Sequence, residues 1–112
     1  LIREAGGLRI YGAGILSSPN ETVFALEADS PNRIAFDLPR VMRTKYIIDD
    51  FQQTYFVIDS FEKLLEACYK DFGSVYADVK GMPDFEAHEI SLGDDVLHRG
   101  TLAYFHRRKA GL

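Results

Sequence analysis

One short run of the sequence gathers residue types that could do chemistry. Tyr11–Glu21 reads YGAGILSSPNE and combines two glycines, two serines and a carboxylate. Glycine lets another group approach the backbone closely, and serine hydroxyls both donate and accept hydrogen bonds. Such a set can line a binding site or simply prepare the start of a helix, and the residue types alone leave both open.

The second half of this run has the form of a helix start. Ser18 suits the N-cap, Pro19 the first helical position, and Glu21 lies three residues after the cap, which is the spacing of a capping box. Apolar residues then continue the helix as far as the turn sequence ADSPN. Because Ser18 serves as the cap, the hydroxyl of Ser17 is left without a local partner.

The other reactive residue types form no recognisable catalytic or metal site. His88, His98 and His106 are ten and eight residues apart, and HEISL has Leu92 where a zinc protease has its second histidine. Cys68 lies on an apolar helical stripe, which disfavours a nucleophilic role. We therefore predict no catalytic residue and no metal ligand within these 112 residues.

Composition narrows the class of protein. With 17 acidic and 13 basic residues the net charge is −4, which does not fit a nucleic-acid-binding domain. No apolar run approaches the roughly 20 residues needed to span a membrane. A lone cysteine forms no internal disulfide. The sequence predicts one small cytoplasmic domain with no nucleic acid or membrane partner.

The predicted fold class is α+β, mainly helical with a few short strands. Predicted strands are Leu8–Gly12, Thr54–Ile58 and residues 74–81, and predicted helices begin at Pro19, near Leu38, and after an Asp59 cap. The third helix carries an apolar stripe that we expect to be core, formed by Phe61, Leu64, Leu65, Cys68, Tyr69 and Phe72. Beyond residue 73 the pattern weakens, so we divide the chain into 1–73 and a weakly specified tail, 74–112.

A family resemblance adds to these patterns. The runs GLRIYGAGILSSPNETVFALE and FDLPRVMRTKYIIDDFQQTYFVIDSFEKL resemble the C-terminal part of the catalytic domain of aromatic amino acid hydroxylases, closest to the bacterial members that act on phenylalanine. The resemblance implies a monooxygenase that uses Fe(II), tetrahydrobiopterin and O2 to convert L-phenylalanine to L-tyrosine. Residues 81–112 lack the heptad seam of the tetrameric members, which favours a monomer.

The resemblance also implies which parts of such an enzyme this chain carries. The family holds iron with two histidines and a glutamate that precedes a Leu matched here by Leu1, so we expect the iron ligands and the pterin loop to lie upstream. The chain alone is then expected to bind neither cofactor and to be inactive. Carried over residue by residue, the substrate-binding positions are Gly14, Ser17, Ser18 and Glu21.

Two alternatives stay open. Tyrosine and tryptophan hydroxylases share the YGAG-and-serine segment, so the preferred amino acid is not fixed by it. A non-catalytic binding or assembly domain could also reuse the fold.

Overall fold

The computed structural model describes residues 1–4, 7–9, 18–47, 50–70 and 72–109. In chain order its elements are β1 (Ile2–Glu4), β2 (Gly7–Arg9), α1 (Pro19–Glu27), β3 (Asn32–Ala35), α2 (Leu38–Met42), β4 (Thr54–Val57), α3 (Phe61–Lys70), α4 (Phe72–Val79), β5 (Val96–His98) and α5 (Ala103–Lys109). The predicted α+β class, helical with a few short strands, is confirmed.

The centre of the fold is a three-stranded sheet with strand order β4-β3-β5. β3 pairs in parallel with β4, from Asn32 opposite Thr54 to Ala35 opposite Val57, and antiparallel with β5. β1 and β2 form a separate antiparallel pair. The Arg3 N–H donates to the carbonyl of Ile58 at 2.7 Å, which joins β1 to the end of β4.

The main core lies between α1 and the sheet and also includes α5. Phe24 and Ala25 of α1 are buried with Tyr55 and Val57 of β4 and with Phe105 of α5. Aromatic rings extend this core, with centroid separations of 4.7 Å for Phe24–Phe51, 5.2 Å for Phe24–Tyr104 and 5.4 Å for Phe51–Tyr104. Residues of α1, β4 and α5 thus share one core.

Several predicted elements are present. α1 begins at Pro19 after a Ser18 cap, and α2 begins at Leu38 after Asp37, whose carboxylate accepts the Arg40 N–H at 3.2 Å. The strand predicted at 54–58 is β4. Of the strand predicted at Leu8–Gly12, the structure describes Leu8 and Arg9, which lie in β2; the remainder is outside the described residues.

The predicted cap of α3 is wrong by one residue. The Ser60 Oγ accepts the Lys63 N–H at 3.1 Å, so Ser60, not Asp59, is the N-cap. Asp59 instead accepts a hydrogen bond from the Lys63 ammonium at 3.3 Å. Two adjacent residues were both competent caps, and the position at which the helix begins decided between them.

The strand predicted at 74–81 is also wrong, because Phe72–Val79 is helical. Val75 and Val79 are half-buried and four residues apart, so they share a helix face. The expectation that the stripe of α3 is core is wrong for three of its residues, because the exposed fraction is 45% for Phe61, 84% for Tyr69 and 50% for Phe72, which lies in α4. Leu64 and Leu65 of the same stripe are half-buried. The side chain of Cys68 is outside the described part of the structure.

Residues after 73, although weakly patterned in sequence, contribute to the same sheet and core. β5 pairs with β3, and Phe105 of α5 is buried among the residues of α1 and β4. The division of the chain at residue 73 stays a prediction.

Candidate functional site

The start of α1 contains Ser18 and Glu21, two of the predicted substrate-binding residues. The Ser18 Oγ accepts the backbone N–H of Glu21 at 3.3 Å, and the Ser18 carbonyl accepts that of Thr22 at 3.0 Å. Pro19 occupies the first turn, where its missing N–H costs no hydrogen bond. The serine half of the predicted capping box is confirmed.

The Glu21 carboxylate is directed away from the helix, toward β4. Its Oε2 accepts the Gln52 backbone N–H at 2.9 Å and the Tyr55 hydroxyl at 2.7 Å, and Glu21 is only 8% exposed. Burial, and then the hydrogen bond to Glu21, raise the pKa of Tyr55 well above its usual range. Tyr55 is therefore a protonated donor at physiological pH.

The other end of α1 is held by Arg33 of β3. Its guanidinium donates to the carbonyls of Ala25 at 2.9 Å, Ala28 at 2.8 Å and Phe24 at 3.4 Å. The last carbonyls of a helix lack intrahelical donors and carry partial negative charge, so a buried cation is well placed there. Burial lowers the pKa of Arg33, while charge interactions with Tyr55 and Asp29 oppose that shift.

A mainly apolar hollow of about 330 Å³ lies beside this arrangement. Gln52 and Tyr55, the two donors to Glu21, both line it. Apolar residues of its wall include Leu1, Val41, Phe56 and Leu64. The buried carboxylate is thus connected to a concave surface through the residues that hold it.

The four predicted substrate-binding residues are only partly described. Gly14 and Ser17 lie outside the described residues, whereas Ser18 and Glu21 stand together at the start of α1. Sequence reasoning missed Tyr55 and Gln52, because their contact with Glu21 spans 34 and 31 residues. One signal was available: a carboxylate buried beside an apolar helix face needs hydrogen-bond donors from elsewhere in the fold.

A buried ion pair fixes the loop before β5. Arg40 of α2, 4% exposed, donates from Nε to both oxygens of Asp94 at 3.1 and 3.3 Å. It also donates to the Glu89 carbonyl at 2.5 Å, and its guanidinium carbon lies 4.1 Å from the centre of the Phe85 ring. This arginine holds the residues between α4 and β5 against α2.

Buried Asn32 ties the sheet to the same part of the chain. Its Nδ2 donates to the His88 carbonyl at 3.1 Å and to the Thr54 hydroxyl at 3.4 Å, and its Oδ1 accepts the Gly100 N–H at 2.8 Å. Gly100 packs so closely that a Cβ there would overlap the Ser30 carbonyl oxygen. The side chain of Asn32 therefore holds His88 and Gly100, at the two ends of residues 88–100, against β3.

Comparison with known protein families shows to which family the chain belongs. The family model of biopterin-dependent aromatic amino acid hydroxylases matches residues 1–78. The chain belongs to that family.

Curated members of the family include close relatives. The chain is 58% identical over 104 residues to a phenylalanine-4-hydroxylase of Caulobacter vibrioides and 48% identical over 100 residues to that of Chromobacterium violaceum, covering 93% and 89% of this chain. Among solved structures, the C. violaceum phenylalanine hydroxylase with iron and phenylalanine bound superposes with a TM-score of 0.78 at 49% identity over 86% of this chain. The chain spans about a third of the length of these relatives: 35% and 34% of the two curated sequences and 36% of the crystallised chain.

The described residues do not fit an iron centre. Among them, no group of three or more His, Cys, Asp or Glu side chains is placed to hold a metal ion. The three histidines lie in a turn, in β5 and in α5, and the His98 ring faces the Asp29 carbonyl at 3.0 Å.

Among the residues that the structure describes, no helix is long and apolar enough to cross a membrane.

Proposed function

We propose that this chain is part of a phenylalanine 4-monooxygenase, which converts L-phenylalanine to L-tyrosine with tetrahydrobiopterin, O2 and non-haem iron. The observation that carries the proposal is the 58% identity to the C. vibrioides phenylalanine-4-hydroxylase across 93% of this chain. In this enzyme the chain contributes one wall of the amino acid binding site, formed by Gly14, Ser17, Ser18 and Glu21. Iron and pterin are held by residues other than those described here.

The arrangement at α1 supports this role. A helix start anchored by its own cap and by a buried carboxylate holds Ser18 and Glu21 in fixed positions. Sites held by the ends of helices and strands keep their geometry better than sites on free loops. The adjacent apolar hollow suits an aromatic side chain better than a charged one.

The test uses the longest natural protein that contains this sequence. Tyrosine formation from phenylalanine, dependent on tetrahydropterin and ferrous iron, is the expected result, with tyrosine and tryptophan as competing substrates to define preference. Ser17→Ala should lower turnover with the fold retained, and Ser74→Ala, on an exposed position of α4, is the matched control. Absence of hydroxylation of all three amino acids would favour a binding or assembly role.

Two smaller parts of the proposal have direct measurements. The 112-residue chain alone should bind no stoichiometric ferrous iron, which a calorimetric titration measures. The complete protein should sediment as a monomer and be found in the cytoplasm; a tetramer in sedimentation would contradict the first of these.

A further inference from the structure

Two directly paired residues of the sheet hold the two ends of α1. Arg33 of β3 and Tyr55 of β4 are partners in the parallel register. Tyr55 reaches the first turn of α1 through Glu21, and Arg33 reaches the carbonyls of its last turn. A single cross-strand pair therefore sets the position of the helix along its length.

These contacts are buried, so they are not readily replaced by water. The exposed fractions are 4% for Tyr55, 7% for Arg33 and 8% for Glu21. Loss of one partner in such a setting leaves a desolvated polar group unpaired. The Tyr55 hydroxyl and the Gln52 N–H donate to the same carboxylate oxygen, so removal of the hydroxyl leaves that oxygen with one of these two donors.

We propose that Tyr55 is a positioning residue for the amino acid site, acting through Glu21 to fix the start of α1, with Arg33 fixing the other end of the helix. This inference rests on the proposed function. The Tyr55 hydroxyl acts on the carboxylate and not on the substrate. Displacement of a site wall by about 1 Å is enough to lower catalytic efficiency strongly.

The decisive variant is Tyr55→Phe in the longest natural protein that contains this sequence. It keeps the ring in the hollow and removes only the donor to Glu21. We expect roughly a tenfold fall in kcat/KM for phenylalanine, with KM rising more than kcat falls. We also expect fewer tyrosines formed per tetrahydropterin oxidised, since a displaced amino acid leaves oxidation of the pterin unproductive.

Two further variants keep the test decisive. Glu21→Gln retains an oxygen that can accept the Tyr55 hydroxyl, so its losses should be smaller than those of Tyr55→Phe. Arg33→Lys retains the charge but not the three-carbonyl contact, and it should shift KM and coupling in the same direction as Tyr55→Phe. Tyr69→Phe, on an 84% exposed tyrosine, is the matched control and should match the unmodified enzyme.

The outcomes separate this inference from the proposed function. If the unmodified protein hydroxylates no aromatic amino acid, the proposed function fails. If it is active and Tyr55→Phe keeps its KM, kcat and coupling, the inference fails, and it fails equally if only the melting temperature falls. Should Tyr55→Phe not fold, Arg33→Lys decides by the same kinetic criteria.

Discussion

Two helices of this molecule, α1 and α3, differ in the contacts that hold them. α1 lies on the sheet with Phe24 and Ala25 buried, and polar contacts fix both of its ends. α3 has the clearer amphipathic pattern in sequence, yet Tyr69 on its apolar stripe is 84% exposed. The stronger apolar stripe in sequence therefore did not indicate which of the two helices is buried in this chain. The buried helix, α1, is the one whose ends make buried polar contacts.

The ion pairs show the same contrast. In the pair that joins α2 to the loop before β5, the side chains of Arg40 and Asp94 are 4% and 5% exposed. At the start of α3, Lys63 and Asp59 are each 63% exposed. Exposed pairs are screened by water and stabilise little, whereas removing one member of a buried pair leaves a desolvated charge. Substitution of a member of the buried Arg40–Asp94 pair should therefore lower the free energy of unfolding far more than substitution in the exposed pair at the start of α3.

The largest effect is expected for Arg40→Ala. The substitution leaves the buried Asp94 carboxylate without its cation and removes a donor to the Glu89 carbonyl. We expect the free energy of unfolding to fall by roughly 3–5 kcal/mol, measured by urea unfolding of the 112-residue chain. A loss of this size is a large part of the stability of a small domain, so substantial unfolding before any urea is added would also agree.

The matched control is Lys45→Ala. Lys45 also pairs with a carboxylate, Glu86 at 2.8 Å, but both side chains are more than half exposed. No measurable change in unfolding is expected. Equal losses from Arg40→Ala and Lys45→Ala would show that burial does not distinguish the two ion pairs.

An intermediate effect is expected for Gly100→Ala. The added Cβ would meet backbone atoms of Ser30 and Pro31, which cannot rotate away as a side chain can. We expect a loss of roughly 1–3 kcal/mol. Gly93→Ala is the control, since a Cβ there has no neighbour within 4 Å; if both variants melt alike, close packing of residues 88–100 on β3 is not what limits stability.

These regions also show how far the sequence could be used for prediction. The Ser18 cap and the strand at β4 were predictable because a cap and a β-rich run depend on neighbouring residues. The direction of the Glu21 carboxylate was not, because its partner Tyr55 is 34 residues away. A strand was predicted at 74–81 because a short apolar pattern fits both periods; Phe72–Val79 is a helix, and its packing against α2 and α3 is not visible in local sequence.

The candidate site was predictable only in part, for the same reason. Ser18 and Glu21 could be placed at a helix start from spacing alone. The roles of Arg33 and Tyr55 could not, since they depend on strand register, which local sequence does not specify. The family resemblance predicted Ser18 and Glu21 as site residues, and that role stays a prediction, whereas their contacts with the sheet became known only from the structure.

A smaller effect is expected from alkaline pH. The pKa of Tyr55 is raised in the folded chain from its ordinary value of 10.0, mainly by burial. Above about pH 10 the unfolded chain loses this proton while the folded chain keeps it, so stability falls as pH rises, by up to about 1.4 kcal/mol per pH unit. Below pH 10 the contribution is fully present.

Tyr55→Phe isolates this contribution. The difference in unfolding free energy between the variant and the unmodified chain should be constant from pH 7 to about pH 9 and shrink above about pH 10. A difference that stays constant at higher pH would show that Tyr55 ionises as readily in the folded chain as in the unfolded one, and the buried contact with Glu21 would then be in doubt.

The smallest effect is expected for Tyr69→Ser in α3. A side chain 84% exposed contributes little to the core, so the free energy of unfolding should change by no more than about 0.5 kcal/mol. Exposed aromatic surface binds hydrophobic dyes, so dye fluorescence of the native chain should fall at unchanged stability. Val57→Ser, at a 4% exposed position of β4, is the contrasting variant and should destabilise strongly. If Tyr69→Ser destabilised comparably, the stripe of α3 would be core after all, and sequence amphipathicity would be the better guide to what this chain buries.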